Sequence, residues 1–331
     1  MRAGVKDVAK RAGVSVGTVS NVLNRPDAVA DATRERVEAA MRELDFVRNA
    51  SARQLRAGQS TAVGAVLLDL SNPFYTALAR GIEDRLALDN LTLMVASSDE
   101  DPEREERVLQ LFAEQGIRGL VITPTKTTKK RLERLDAFGI PSVLLDSQSK
   151  RHASVGMDNV SGGRQVVRHL LERGHRRIAY LGGPEHLEQS RDRLAGAVQA
   201  VVEAGLNPDE VIVSRWLPGM SADDGQRAFI DVYDGEAAKP TAFFCINDIV
   251  ALGVQRECRL RGYDMPSRVA VVGYDDVPFA SELMTPLTSV RQPTHEIGYA
   301  AADLLLSGAG RDVHQVFRPE LVIRASSGGP A

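Results

Sequence analysis

Between Gly13 and Asn24 the chain reads Gly-Val-Ser-Val-Gly-Thr-Val-Ser-Asn-Val-Leu-Asn, which gathers small hydrogen-bonding side chains on a short amphipathic stretch. Ser15 is placed to cap a helix running from Val16 to about Leu23. Val19 and Leu23 fall at i and i+4 on its inner face, which leaves Val16, Gly17, Ser20 and Asn21 toward the open side. Hydroxyls and amides of this size can bond base edges, and so slender a helix fits a major groove with its N-terminal residues toward the bases. The DNA contacts expected here are Ser15, Val16, Gly17, Thr18, Ser20, Asn21 and Asn24. Gly13-Val14-Ser15-Val16-Gly17 also matches the GxSxG nucleophile elbow of hydrolases. That chemistry needs a strand before the serine, whereas helical periodicity precedes this one, so Ser15 serves as a cap.

Other elements must hold that helix. Val5, Val8, Ala9 and Ala12 form an apolar stripe at i, i+3, i+4 and i+7, which Gly13 ends. A third stripe follows at Val37, Ala40, Met41 and Leu44. Three short helices, the first two joined by a glycine-containing turn, describe a helix-turn-helix unit over residues 1–48. Charge agrees: residues 1–60 hold eleven Lys/Arg against seven Asp/Glu, while the whole chain has a formal net charge of −3. A basic head on an acidic body is the asymmetry expected when only the head meets a polyanion.

The segment KDVAKRAGVSVGTVSNVLNRPDAV resembles the headpiece of the lactose-repressor (LacI/GalR) family of bacterial regulators. TRERVEAAMRELDFVRNASARQLRAG continues the likeness through that family's third helix and hinge. The family often carries Arg where Asn21 stands, a side chain where Gly17 stands, and a capping Ser where Ala30 stands; Asp31 is placed to take over that cap. Residues 49–59 are good helix formers with little apolar surface, too short to be stable alone. The resemblance implies that two such hinges pair across a homodimer and enter the minor groove, with Leu55 as the wedge and Ala52 and Arg56 beside it. It implies pseudo-palindromic operator DNA as partner.

From residue 60 onward, short apolar runs alternate with helix-length segments. The runs are Val63–Leu68, Leu91–Ala96, Leu120–Thr123, Ser142–Leu145, Ile178–Leu181, Ala242–Ile246 and Val269–Gly273. Between them lie amphipathic stretches such as Pro73–Leu88, Pro102–Gln115, Val160–Arg173 and Gln189–Ala204. The alternation predicts an α/β core of parallel sheets covered by helices, and the strand count exceeds one comfortable sheet. Polar residues end the runs at Asp69–Asn72, Asp146–Gln148, Asn247–Asp248 and Asp275–Asp276, where α/β folds bind ligands.

GAVLLDLSNPFY, GHRRIAYLGGP, SRDRLAG, INDIVALG and VAVVGYDDVP resemble the periplasmic-binding-protein-like core of the same family. The resemblance implies two parallel-sheet subdomains, 60–159 plus 291–318 and 160–290 plus 319–331, with a small-molecule effector between them. Carried over position by position, its contacts are Phe74, Asp146, Arg191, Met220, Asn247 and Asp275. Met220 stands where the family often has an aromatic, and Trp216 lies close in sequence. Such a set, with one cation, several carboxamide or carboxylate groups and an aromatic, suits adjacent hydroxyls and a sugar-like ring.

The remaining residues argue mainly by exclusion. No run of about 18 uncharged apolar residues occurs, so no membrane partner is expected. The polar N-terminus lacks the apolar block of a secretory signal, which points to the cytoplasm and the nucleoid. Cys245 and Cys258 show no CxxC spacing, and the six histidines show no HExxH. Without a Walker A motif or a GxGxxG after a strand, no catalytic residue, metal or cofactor is expected. The closing SSGGPA offers no leucine heptad for tetramerisation. Two rival readings use the same core. A solute-binding protein would carry a signal in place of the DNA head, and an α/β enzyme would carry a nucleophile elbow or phosphate loop in the core. The expected protein is a DNA-binding regulator, a repressor rather than an enzyme, and the sequence leaves inducer and corepressor both open.

Overall fold

The computed structural model describes residues 3–46, 60–125, 128–147, 149, 151–308 and 310–328. The chain divides into two compact units, Met1–Ser60 and Thr61–Ala331. The hinge segment, with Ala52, Leu55 and Arg56, lies outside the described residues.

The first unit contains α1 (Val5–Ala12), α2 (Val16–Asn24) and α3 (Asp31–Glu43). Gly13 ends α1 in the left-handed region at φ 65°, where a side chain would be strained, and its N–H returns to the last carbonyls of that helix. Ser15 Oγ then accepts from Thr18 N at 3.0 Å and caps α2. Val8, Val19 and Val37, one from each helix, are wholly buried together and form the centre of the head's small core. Val22 is buried as well, while Leu23 is only half-buried at the margin. Asp31 does not take over the cap expected of it. Ala30 is the N-cap and offers no side-chain bond; Asp31 is the first helical residue and pairs with Arg34 at 2.8 Å.

The second unit holds two parallel sheets. In one, β1 (Ala62–Leu67) is flanked by β2 (Thr92–Ser97) and β3 (Leu120–Ile122). β4 (Ser142–Leu145) and β5 (Ala153–Met157) continue it beyond β3. The other contains β6 (Ile178–Gly182), β7 (Ile212–Trp216), β8 (Ala242–Cys245) and β9 (Ala270–Val272), in the order β7-β6-β8-β9. β10 (Ser289–Arg291) pairs antiparallel with β12 (Glu320–Val322). Between them the chain returns to the first sheet, where β11 (His314–Phe317) runs parallel to β5 at its edge.

Helices connect the parallel strands, as a crossover requires. They are α4 (Pro73–Ala87), α5 (Pro102–Glu114) and α6 (Thr128–Ala137) on the first sheet. α7 (Asn159–Glu172), α8 (Glu188–Glu203), the single turn α9 (Pro208–Val211), α10 (Ala222–Gly235) and α11 (Asp248–Leu260) serve the second, and α12 (Thr294–Leu306) packs on α4. Close helix contact fixes one position that matters below. A methyl on Gly163 of α7 would lie 2.0 Å from Arg193 O, and one on Gly196 of α8 would lie 1.9 Å from Val160 O. Bare backbone at both points lets α8 press against α7 and brings Arg193 to the first residue of α7, Asn159.

Among the described residues no helix is long and apolar enough to cross a membrane.

Candidate functional site

In the head, the exposed positions of α2 are Val16, Gly17, Asn21 and Asn24, with the cap Ser15 also exposed. Thr18 and Ser20 are half-buried. Val16 is 46% exposed, one of the few large apolar side chains of the head left open to solvent. Ser15 and Thr18 bond each other through their hydroxyls at 2.9 Å, and Asn24 Nδ2 donates to Ser20 O at 2.8 Å. Gly17, Asn21 and Val16 therefore leave an open helix face with one free-standing carboxamide at its centre. Such a carboxamide can make the bidentate pair that recognises adenine.

In the larger unit, the loops after β1, β2, β6, β7 and β8 surround a cleft of about 690 Å3. That is the carboxyl-end location expected for a ligand in this architecture, and the volume suits a small metabolite. Two of the six expected effector residues, Met220 and Asn247, line it. Asn247 also caps α11 by accepting from Val250 N at 2.8 Å.

Beneath the cleft lies a buried polar cluster. Asn72 lines the cleft and donates from Nδ2 to Asp275 Oδ2 at 3.4 Å, joining the loop after β1 to the loop after β9. Gln292 Nε2 donates to the other oxygen of Asp275 at 2.7 Å. Arg193 is 4% exposed; its Nε donates to Asn159 Oδ1 at 2.9 Å and its Nη1 to Ile246 O. The guanidinium lies 3.5 Å from the centre of the Tyr274 ring, a cation–π stack in a water-poor site. Asp146 Oδ1 accepts from Met157 N at 3.1 Å. Asp146 and Asp275 both have positive φ, 48° and 107°, a strained backbone that tends to persist where function over-determines it.

Electrostatics tie these groups together. Burial pushes the Asp275 carboxyl up to about 6, although Arg193, Asn72 and Gln292 all favour its charged form. Burial also raises Asp146, against the pull of Arg193. For Arg193 burial opposes the charge, and Tyr274, Asp275, Tyr180 and Asp146 more than restore it, so it stays cationic. Burial raises the Tyr75 phenol well above its ordinary value, and Asp275, Asp146 and Glu100 add to the rise. Tyr75 lines the cleft and so connects its wall with this floor.

Two expectations need correction. Arg191 is exposed and donates from Nη1 to Glu185 O at 2.7 Å; the arginine that joins the cluster is Arg193. Residues two apart on a helix point to different faces. Gln189, Ser190, Arg193, Gly196, Ala197, Ala200 and Val201 form the buried stripe of α8, and that periodicity separates the two arginines in the sequence itself. Phe74 is packed in the hydrophobic core, edge-on to Tyr75, and Tyr75 is the aromatic that faces the cleft. Trp216 lies edge-on to Tyr180 and against Gly182 rather than on the cleft wall. Asn72, Asn159 and Gln292 were not singled out as site residues, because carboxamides at helix starts and crossovers carry no distinctive sequence signal.

Comparison with known proteins agrees with both parts. The description "Bacterial regulatory proteins, lacI family" matches residues 4–49, and "Periplasmic binding protein-like domain" matches residues 167–327. The chain is 32% identical to the ribose operon repressor of Escherichia coli over 323 residues, covering 96% of this chain and 94% of that one. It is 31% identical to the HTH-type transcriptional repressor PurR of Aliivibrio salmonicida over 334 residues, covering 98% of each. The lac repressor dimer bound to operator and the anti-inducer ONPF superposes with a TM-score of 0.83 at 29% identity, covering 99% of both chains. A LacI family regulator from Enterococcus faecium with bound ribose gives a TM-score of 0.71 at 28% identity, covering 80% of this chain and 98% of that one. With a helix-turn-helix head, a two-sheet ligand-binding core and relatives matched end to end, this chain belongs to the lacI family of bacterial regulatory proteins and is a DNA-binding transcription regulator with an effector-binding core.

Proposed function

We propose that this regulator is a repressor whose operator affinity is set by a small polyhydroxylated molecule held over the Arg193–Asp275–Asp146 cluster. The observation that carries the reading is the buried Asn72–Asp275 bond at the base of the cleft, which joins loops from both sheets. A ligand competing for Asp275 changes what holds the two halves together, and differential affinity for two arrangements is what shifts an equilibrium. The lobes in this reading are 60–159 plus 291–318 and 160–290 plus 319–331, supported by β11 in the first sheet and β12 beside β10. Asp146, Arg193, Asn247 and Asp275 supply hydrogen bonds, and Tyr75 and Met220 supply the apolar wall. The ribose-bound relative supports a sugar-like effector.

On DNA, the reading is a homodimer on a pseudo-palindromic operator, with Val16, Gly17 and Asn21 at base edges and Leu55, Ala52 and Arg56 of the hinge at the minor groove. The lac repressor dimer on its operator supports that geometry. The work is binding rather than turnover, and its place is the cytoplasm, at the nucleoid.

Selection from randomised duplexes tests the DNA half of this proposal. The expected consensus is two-fold symmetric, and binding weakens steeply with salt as counterions are released. The Asn21→Arg variant is expected to select guanine where the parent selects adenine at one half-site position, a change worth roughly 1–3 kcal/mol per base. An identical consensus for both proteins would remove Asn21 from the base-reading set. A thermal-shift screen of sugars and polyols, followed by operator release, tests the effector half.

A further inference from the structure

We infer that Asp276 is a positioning residue of the effector response. Clamped between Arg291 and Arg324, it ties the Asp275 end of the site to the strands that join the two lobes. Cutting the clamp leaves effector binding in place and removes its effect on operator affinity. The inference rests on the effector reading of the cleft and goes beyond it, since Asp276 is not among the residues that line the cleft.

In that reading the chain passes between lobes near Asn159, at 290–293 and at 317–321, and these crossings are tied together. Asp158 N donates to Phe317 O at 2.9 Å. Gln165 of α7 donates from Nε2 to Pro319 O at 3.2 Å and accepts from Leu321 N at 3.3 Å. β10 and β12 pair directly. Asp276 is where this bundle meets the loop after β9. Its side chain is 4% exposed; Oδ2 accepts from Arg291 Nε at 2.8 Å, and Oδ1 pairs with Arg324 Nη1 at 2.6 Å. Arg291 ends β10 and Arg324 lies just beyond β12, so one carboxylate holds both strands. Arg324 is itself fastened: its Nη1 also donates to Leu287 O at 2.7 Å and its N to Thr288 Oγ1 at 2.8 Å. Two residues on, Ser326 Oγ donates to Val271 O of β9 at 2.6 Å.

Register gives the two neighbouring acids different partners. Asp275 takes Gln292 and Asn72, in the cluster beneath the cleft, whereas Asp276 takes Arg291, the residue before Gln292. Their φ angles are 107° and 52°, two adjacent left-handed residues of which neither is glycine. Such backbone persists only where its surroundings over-determine it. The clamp does so here, together with Asp276 N donating to Ser289 Oγ at 3.0 Å and Val277 N donating to Asp248 Oδ2 at 2.9 Å. Ser289 Oγ in turn donates to the other oxygen of Asp248 at 2.6 Å. A ligand that draws on Asp275 therefore moves a stiff turn, and β10 and β12 move with it. Without the clamp the turn yields locally and the strands stay where they are. Removing the carboxylate strands no buried cation, because Arg291 is half-exposed with Glu320 at 3.8 Å and Arg324 keeps Leu287 O.

The test compares operator affinity with and without saturating ligand on the full chain, with calorimetry for ligand binding itself. The probes are ribose, glucose, galactose, mannose, cellobiose and a wider library of polyols, and the tightest binder of the parent is used for every variant. Reading operator affinity at saturation keeps changes in ligand affinity out of the ratio. Such couplings are ordinarily about 5- to 150-fold. Asp276→Asn and Arg324→Gln are each expected to bind both the ligand and operator, and to lower the ratio to about a fifth of the parent's or less. The double variant is expected to lose no more than the worse single one, as two halves of one clamp should. Asp276→Glu, which keeps the charge on a longer arm, recovers part of the ratio. Melting curves check folding, and Arg324→Gln decides the matter if Asp276→Asn does not fold. A parental ratio in either single variant, single losses that multiply in the double, or a folded Asp276→Asn that no longer binds the ligand overturns the inference while leaving the effector reading intact. A parent whose operator affinity no probe alters would overturn the effector reading, and this inference with it.

Discussion

Arg193→Ala is expected to destabilise the core by about 3–5 kcal/mol and to abolish the response to effector, whereas Arg191→Ala is expected to change stability by less than about 0.5 kcal/mol. The two residues share one helix and one chemistry, so the contrast isolates position. Arg193 is 4% exposed and makes three kinds of contact at once: bonds to Asn159 and Ile246, the stack on Tyr274, and attraction to Asp275 and Asp146. Removing it leaves two buried carboxylates without their cation, and that uncompensated charge is the main cost. Arg193→Lys keeps the charge but has no planar fork to stack or to bond Asn159 and Ile246 together, so partial recovery is expected. Arg191, exposed and held by one bond to Glu185 O, has nothing comparable to lose. Urea titration of the three variants measures the stability difference, and calorimetry with an identified effector measures the response. Equal losses at 191 and 193 would mean that the buried cluster does not organise the site.

The same pair of arginines marks how far sequence reasoning reached. Segments with strong local periodicity were legible: all three head helices, the strands β1, β2, β3, β4, β6, β8 and β9, and the capping role of Ser15. Strands without a continuous apolar run were not. β5 contains Gly156, β7 is interrupted by two consecutive exposed residues, Ser214 and Arg215, and β11 is an edge strand with His314, Gln315 and Val316 exposed. Each takes its conformation from a neighbour's hydrogen bonds, which no local pattern records. In the site, Asp146 and Asp275 were legible as polar residues at strand ends. Their partners come from other segments: Asn72 reaches Asp275 across 203 residues of chain, and Gln292 reaches it from the residue that follows β10. Such pairings are set by the packing of whole lobes, and the aromatic assignment failed for the same reason. Phe74 and Tyr75 are adjacent, and only the direction in which α4 leaves its cap decides which ring meets the cleft.

Asp275 should make the core of the unliganded protein less stable as pH rises from about 4 to 8, and Asp275→Asn should remove that trend. The carboxyl has a folded-state value of about 6 against an ordinary value of 3.8. A raised acid binds its proton more tightly in the folded state than in the unfolded state. Its contribution is therefore fully present below the unfolded value and is lost as pH climbs through about 6. A shift of about two units corresponds to on the order of 3 kcal/mol between the two ends of that window. The cause is burial, which outweighs Arg193, Asn72 and Gln292, so the charged form at neutral pH persists at a cost in stability. Such a cost is reasonable where a ligand is to be bound: hydroxyl or ammonium donors from the effector would lower the Asp275 value again, and binding near pH 6 should release a proton. Asp275→Asn carries an offset of its own, since its amide must face either Asn72 Nδ2 or Gln292 Nε2, both of which are donors. The informative quantity is therefore the change with pH in the stability difference between parent and variant, not the difference at one pH. Trp216 is the only tryptophan and lies beside Tyr180 in the core, so its fluorescence follows unfolding of the core rather than of the head. Denaturant titrations at half-unit steps from pH 4 to 8 should show the parent losing about 3 kcal/mol relative to the variant. Parallel curves across that range would show that Asp275 is ionised throughout, and that burial does not set its charge.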